Sequence, residues 1–184
     1  PHGGGGPGAG PVGCKALLEK FLPKSALGDG AGEGHLQMRA FYGNFLVCMR
    51  ALTYVLTLGA EGVREASETA VLNANYMMHR LREKYAMACG ERCMHEFVMS
   101  LENLKEETGV SAMDIAKGLL DNGIHPPTMY FPLIVHEALM VEPTETESKE
   151  TLDEACDVFL RLWETAHSDP QALHNAPVTT PVGR

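Results

Sequence analysis

Four consecutive glycines, residues 3–6, stand between His2 and Pro7 in the first segment of the chain. Glycine has no side chain and adopts positive φ, so such a run curves tightly and brings main-chain N–H groups close to an anion. A flexible linker is the alternative for a bare glycine run. The neighbouring prolines favour the stiffer loop, because each fixes its own φ. The run therefore predicts a tight loop that could line a ligand pocket.

Size and charge argue against several classes of protein. The 184 residues are 45% apolar, enough for a buried core in one large domain or in a small domain with part of another. The 15 Lys and Arg against 24 Asp and Glu give a net charge of −9, and no basic cluster is available to bind a nucleic-acid backbone. No apolar run is expected to reach the length of a membrane span. We therefore expect no nucleic acid and no membrane among the partners.

The cysteines argue for a reducing compartment. Five cysteines are present, an odd number without the spacing of a disulfide framework. Cys89, Cys93 and His95 could supply three zinc ligands, but no second pair of ligands has matching spacing. We therefore expect free thiols and no metal.

Apolar periodicity predicts helices in the first half of the chain. Apolar residues recur at helical spacing over residues 15–22, 43–58 and 61–85. Gly59 stands where the second of these helices would end. Residues 10–14 are predicted to form a short strand that leaves the glycine loop.

Strands and extended segments are predicted in the second half. The apolar residues at 94–101 and 138–141 predict two strands. Three prolines between residues 124 and 133 predict an extended segment that is not a central strand.

Two capping signatures accompany these strands. Ser111 with Asp114, and Thr144 with Glu147, have the spacing of a capping box, so each pair predicts the start of a helix. Strands followed by capped helices indicate a small α/β layer. The two long helices that precede this layer would connect it to another part of the protein.

Segments along the whole chain carry a family resemblance. They read PHGGGGPGAGPVG, RAFYGNF, AEGVREASETAVLNANYM, CMHEFV, LKEETGV, DIAKGLL, NGIHPPTMYFPLIVHEALMVEPTETESKETLD and NAPVTTPV. Together they resemble the C-terminal part of the glycine cleavage system P-protein, glycine dehydrogenase (decarboxylating), most closely subunit 2 of the two-subunit bacterial form. Residues 124–153 are the most specific part of the resemblance.

The resemblance implies a fold and an activity. The fold would be α/β, the C-terminal part of a fold-type I, aspartate aminotransferase-like enzyme that uses pyridoxal 5′-phosphate (PLP). Residues 1–58 would be the remnant of the PLP-binding large domain, and residues 59–184 a bridging helix with the small C-terminal domain. The intact cytoplasmic enzyme would decarboxylate glycine and transfer the aminomethyl group to the lipoyl arm of the H-protein. Its partners would be P-protein subunit 1, the lipoylated H-protein and glycine.

The resemblance also implies where the cofactor is held. The lysine that forms the Schiff base would precede the PHGGGG motif, upstream of Pro1, so we expect a fragment that is inactive by itself. The cofactor pocket would be lined by His2, Gly3, Gly4, Gly5 and Gly6. Local sequence adds a pocket for the substrate or the lipoyl arm. His125 and Thr128 lie on a stiff segment with two prolines between them, and Tyr42 and Asn44 lie at the junction before a predicted helix, so all four are predicted to line this pocket.

Each of these pocket residues has a structural alternative. His125 could relay a proton, because imidazole titrates near neutrality, or it could hold a turn. Tyr42 and Asn44 could contact the site or cap the following helix.

Two alternative functions stay open at this point. One is another fold-type I PLP enzyme, which an arginine for the substrate carboxylate on a small-domain strand would favour; residues 139–144 contain none. The other is a catalytically silent partner subunit.

Overall fold

A computed structural model describes residues 8–10, 12–23 and 44–180. The chain divides into two compact units, Pro1–Val63 and Arg64–Arg184. The predictions for residues 2–6 and for Tyr42 lie outside the described residues. The domain boundary between residues 58 and 59 stays a prediction.

In the first unit, the described residues before position 24 form one short helix. A 3-10 helix covers Ala16–Phe21, as the periodicity over residues 15–22 predicts. The strand predicted at residues 10–14 is wrong, because residues 10 and 12–14 have no regular structure. Two glycines in that stretch weaken strand formation, since glycine offers no side chain to pack.

Helix α1, Phe45–Leu81, contains the break that the sequence predicts at Gly59. Gly59 has φ 65° and ψ −176°, a non-helical conformation that glycine adopts without a steric penalty. Before Gly59 the large apolar side chains are exposed, for example Phe45 at 66% and Leu56 at 74%. After it, the helix contributes to the core of the second unit through buried residues that include Met77, Met78 and Leu81.

The composition of α1 corrects one expectation. By length and apolar content alone, Phe45–Leu81 could cross a membrane, whereas the sequence analysis expected no run of that length. A single helix that meets this criterion does little to indicate a membrane protein.

The second unit contains a four-stranded antiparallel sheet. Its strands are β1, Ala86–Met87; β2, Phe97–Ser100; β3, Thr128–Met129; and β4, Ala138–Val141. The order is β1-β2-β4-β3. The prolines of residues 124–133 therefore precede and follow an edge strand, in agreement with the prediction.

The remaining helices of the second unit are α2, Glu102–Thr108; α3, Ala112–Asp121; α4, Lys149–Ser168; and α5, Pro170–His174. The capping box predicted at Ser111 is confirmed: its side chain accepts from the Asp114 N–H, and the Asp114 carboxylate accepts from the Ser111 N–H. The core lies between the helices and the sheet. Its largest fully buried side chains include Phe159, Leu81, Met99, Leu101, Ile115, Leu119 and Leu139.

The capping box predicted at Thr144 and Glu147 is wrong. Helix α4 begins at Lys149, and its N-terminus is capped by Ser148, whose side chain accepts a hydrogen bond from the Thr151 N–H. Thr144 has φ 64° and lies in a turn before the helix. Ser148, four residues after Thr144, caps the helix instead. The turn separates Thr144 from the first residue of the helix, so Thr144 cannot cap it.

Candidate functional site

A groove of about 600 Å³ lies within the second unit. One side is the connection from α3 to β3, the other is the beginning of α4, and β4 lies between them. Met77 and Phe159, both buried, contribute apolar surface to it. The lining residues are Met77, Glu96, Asn122, Gly123, Ile124, His125, Pro126, Pro127, Thr128, Met140, Val141, Glu142, Pro143, Glu147, Thr151, Leu152, Glu154, Ala155 and Phe159.

The C-terminal end of α3 directs His125 and Thr128 to the groove. Gly123, with φ 75°, donates its N–H to the Leu120 carbonyl, and the Ile124 N–H donates to the Leu119 carbonyl. This pair of bonds is a Schellman motif, which ends the helix and reverses the chain. The two prolines that follow His125 stiffen the segment until Thr128 pairs with Met140 of β4.

A buried asparagine holds the opposite end of the groove. The Asn73 side-chain amide donates to the carbonyl of Thr144, at 2.9 Å, and to that of Glu147, at 3.4 Å. The hydroxyl groups of Thr144 and Thr146 form a hydrogen bond of 2.9 Å within the same turn. The turn of residues 144–147, which we call the groove turn, is therefore fixed to α1 by a side chain.

A second asparagine of α1 holds a different loop. Asn75 donates from its amide nitrogen to the Cys93 carbonyl, at 2.8 Å, and accepts from the Cys93 N–H, at 3.1 Å. This pair fixes the segment that leads into β2.

The mouth of the groove is acidic. Glu96, Glu142, Glu147 and Glu154 line it, and none of its described lining residues is Lys or Arg. His95 lies outside the lining, with Nε2 3.9 Å from a Glu142 carboxylate oxygen and 4.0 Å from one of Glu96. The groove thus combines apolar walls with a carboxylate rim, an environment that favours a cationic or neutral apolar ligand over an anion.

This groove does not fit a PLP phosphate. A phosphate group is held in proteins by main-chain N–H groups at a helix N-terminus or by Arg and Lys. The α3 end that borders the groove is a C-terminus. The α4 end is an N-terminus, but Ser148 already caps it, and Glu147 and Glu154 line the groove beside it. Within residues 8–10, 12–23 and 44–180, no group of three His, Cys, Asp or Glu side chains could hold a metal ion.

An ionic cluster joins α1 to α4 beside the groove. Asp153 accepts from the Tyr76 hydroxyl and from Arg80 Nη1, at 2.6 Å, while its second oxygen accepts from Lys149 Nζ, at 2.6 Å. Arg80 also donates to Asp157, at 2.9 Å. The pKa of Asp153 lies below its ordinary value. The hydrogen bond that Lys149 donates is the largest cause, and the hydrogen bond from Tyr76 is the next.

The structure brings two of the predicted pocket residues together. His125 and Thr128 both line the groove and both are exposed. Asn44 is not among its lining residues; it lies in the first unit, directly before α1, where its carbonyl accepts from the Cys48 N–H. The roles proposed for all three stay predictions.

Sequence reasoning missed Asn73 and the four glutamates. Asn73 could have been found, because it is a polar residue next to Ala74 on the apolar face of a predicted helix, where a buried amide needs partners. The glutamates carry no such signal, since Glu96 and Glu154 meet at the groove from distant parts of the chain.

Comparison with known proteins gives one family match and many relatives. The family model described as "Glycine dehydrogenase, C-terminal domain" matches residues 66–177. A protein of Treponema denticola described as probable glycine dehydrogenase (decarboxylating) subunit 2 is 59% identical over all of this chain, and one of Desulforamulus reducens with the same description is 51% identical. The chain spans 40% of the length of each of these relatives.

A solved structure shares the fold. The crystal structure of glycine decarboxylase (P-protein) of the glycine cleavage system, in inhibitor-bound form, matches with a TM-score of 0.56. The match covers 80% of this chain and 31% of that one, at 15% identity. This likeness shows that the predicted fold, the C-terminal part of a fold-type I enzyme, is correct.

Proposed function

Because the chain belongs to the family of glycine dehydrogenase C-terminal domains, we propose that it is the C-terminal part of subunit 2 of a glycine dehydrogenase (decarboxylating). The intact cytoplasmic enzyme would decarboxylate glycine and transfer the remaining aminomethyl group to the lipoyl arm of the H-protein, together with P-protein subunit 1. The observation that carries the proposal is the family match over residues 66–177, supported by 59% identity to the Treponema denticola relative.

PLP is the proposed cofactor of the intact enzyme. When bound, PLP supplies the electron sink for the loss of carbon dioxide. His2 and the glycines of residues 3–6 are proposed to line its pocket, together with the part of the enzyme that this chain does not span. The acidic groove of the second unit lacks the cations that a phosphate needs, so it has another role in this proposal.

The chemistry of the groove favours the lipoyl arm over glycine. The arm is a long apolar chain, and after transfer it carries an amine, which is cationic near neutral pH. Apolar walls that include Met77 and Ile124 suit the chain, and the glutamate rim attracts the amine. Glycine is a zwitterion whose carboxylate the same rim would repel, and it has no apolar chain to cover the walls. His125 and Thr128 are proposed to hydrogen-bond the end of the arm.

The test uses a chimera in which this chain is joined to the part of the Treponema denticola relative that the chain does not span. The chimera is combined with subunit 1, lipoylated H-protein and PLP, and the release of carbon dioxide from carboxyl-labelled glycine is measured. We expect release from the chimera and none from the isolated chain. The unmodified Treponema denticola protein is the positive control. A folded chimera without activity contradicts the proposal and favours a silent partner subunit.

A variant in the same chimera tests the groove. His125→Gln is expected to raise the KM for the H-protein up to about fivefold, because it removes the imidazole hydrogen bond, worth about 1 kcal/mol. His79→Gln is the matched control, since His79 is exposed and does not line the groove. An unchanged KM for the H-protein in His125→Gln would remove the groove from the proposal but leave the enzyme assignment intact.

A further inference from the structure

The connection between β3 and β4 carries four large apolar side chains into solvent. Tyr130 is 41% exposed, Phe131 53%, Leu133 84% and Ile134 89%. We call these four side chains the apolar tip. Single exposed apolar side chains are normal on a protein surface, but a contiguous set of this size marks an interaction site.

The tip is held in place by main-chain hydrogen bonds. The Tyr130 N–H donates to the Ala138 carbonyl, at 2.8 Å, which closes the base of the connection. The Val135 N–H donates to the Pro132 carbonyl, at 3.0 Å, which forms a turn within it. Because these bonds already order the backbone, little conformational entropy is lost when a partner binds the tip.

Side chains of the sheet and helices fix the other end of the connection. The Ser100 hydroxyl donates to the His136 carbonyl, at 2.9 Å. The Glu137 carboxylate accepts from the Ala112 N–H, at 2.8 Å, and from Lys105 Nζ, at 2.5 Å. Tyr130 and Glu137 both have positive φ, 56° and 48°, a strained conformation that the surrounding structure must maintain.

We propose that the apolar tip packs into an apolar pocket on the part of the intact subunit 2 that this chain does not span. The chain accounts for 40% of the length of its relatives, so a large part of the intact protein is available to cover the tip. Residues 130–135 include no charged side chain. A patch without charges suits a permanent interface within one protein, whereas transient partners meet more polar surfaces.

A membrane surface fits the tip less well. Segments that lie on a membrane combine apolar residues with Lys and Arg that meet anionic lipids. Beside the tip, the Lys105 ammonium is already paired with Glu137. The inference rests on the assignment of this chain to subunit 2 proposed above, but its test needs no enzymatic activity, so the two can fail separately.

The test is hydroxyl-radical footprinting of the tip in the isolated chain and in the chimera with the Treponema denticola relative. We expect residues 130–134 to be oxidised about fivefold more slowly in the chimera, because the core of a well-packed interface excludes the reagent. Equal oxidation rates in the two proteins would overturn the proposal. Protection that rises with the concentration of the isolated chain would assign the tip to a second copy and overturn it as well.

A variant and a vesicle experiment complete the test. In the chimera, L133D/I134D is expected to restore fast oxidation of Phe131, while the control Met94→Asp, at another exposed position (71%), leaves Phe131 protected. Circular dichroism checks that both variants fold. Continued protection of Phe131 in L133D/I134D counts against the proposal. So does protection of the isolated chain by vesicles of phosphatidylcholine and phosphatidylglycerol, which would assign the tip to a lipid surface.

Discussion

At the scale of single residues, Asn73 connects the core to the groove. Its side chain is buried, with 8% exposure. Its amide donates to the carbonyl groups of Thr144 and Glu147, so these bonds attach the groove turn to α1. Thr144 has a positive φ, which is strained by about 1 kcal/mol or more in a residue with a side chain and persists only where other contacts maintain it.

The first prediction concerns Asn73→Ala. The substitution removes two hydrogen bonds and leaves two carbonyl groups without this partner, so we expect the free energy of unfolding to fall by about 1–3 kcal/mol. Hydrogen exchange should accelerate at the backbone amides of residues 144–148, because the groove turn loses its attachment to α1. Urea unfolding and exchange with mass spectrometry measure the two effects.

Asn75→Ala is the matched control for that prediction. Asn75 lies on the same helix and makes the same kind of bond, but to Cys93. We expect faster exchange near Cys93 and no change at residues 144–148. If both substitutions changed the two regions equally, the separate roles assigned to the two asparagines would be wrong.

At the scale of elements, the ionic cluster between α1 and α4 holds these two helices together. Asp153 lies at its centre and receives hydrogen bonds from Tyr76, Arg80 and Lys149. These donors favour the ionised carboxylate, which is why the pKa of Asp153 is lowered in the folded chain. The cluster is partly exposed to solvent, so its contribution is reduced by salt.

The second prediction is a pH dependence that follows from this shift. A lowered pKa stabilises the fold above the pKa of the unfolded chain, whose ordinary value is 3.8, and the effect is lost as pH falls through the lower, folded value. We expect Asp153→Asn to lower Tm at pH 7 and pH 5 by similar amounts. The difference from the wild type should shrink below about pH 4.

Thermal unfolding followed by circular dichroism between pH 3 and pH 7 measures this difference. Glu106→Gln is the control, because Glu106 is exposed on α2 and lies outside the cluster. A Tm difference for Asp153→Asn that stays constant down to pH 3 would show that the carboxylate charge is not the cause.

Elements with strong local signals could be predicted from the sequence. The strand at residues 138–141 and the capping box of Ser111 agree with the structure, and so does the break at Gly59. Helix α2 was missed, because only Leu104 is buried in it and one apolar residue gives no periodicity. Strand β1 has two residues, too few for an alternating pattern.

Features that depend on distant contacts could not be predicted. The groove turn was mistaken for a helix start because its conformation depends on Asn73, 71 residues before Thr144. His125 and Thr128 were identified from a local proline-rich pattern, but the glutamates that give the groove its charge come from separate segments. Helix caps and apolar periodicity can be predicted from local sequence, whereas the residues that line a groove depend on tertiary packing.

At the scale of the whole molecule, a single carboxylate ties residues 178–180, the last described part of the chain, to the end of α3. Asp121, the last residue of α3, accepts from the backbone N–H groups of Val178, Thr179 and Thr180 at 2.8–3.1 Å. The Thr179 hydroxyl also donates to it, at 3.0 Å. Burial would by itself raise the pKa of Asp121, but the three N–H groups outweigh it and leave the pKa below its ordinary value.

The third prediction is therefore that Asp121 controls the order of residues 178–180. Asp121→Ala removes both side-chain acceptor oxygens and should speed amide exchange at these residues about tenfold, whereas Asp121→Asn keeps one side-chain oxygen and should have an intermediate effect. Exchange in α3 should stay slow in both variants, because the helix is capped at Ser111 and packed through Ile115. Exchange at residues 178–180 that is unchanged in Asp121→Ala would show that other contacts hold the segment. The graded order of wild type, Asn and Ala separates the loss of acceptors from the loss of charge, since both variants are neutral and only Ala lacks a side-chain oxygen.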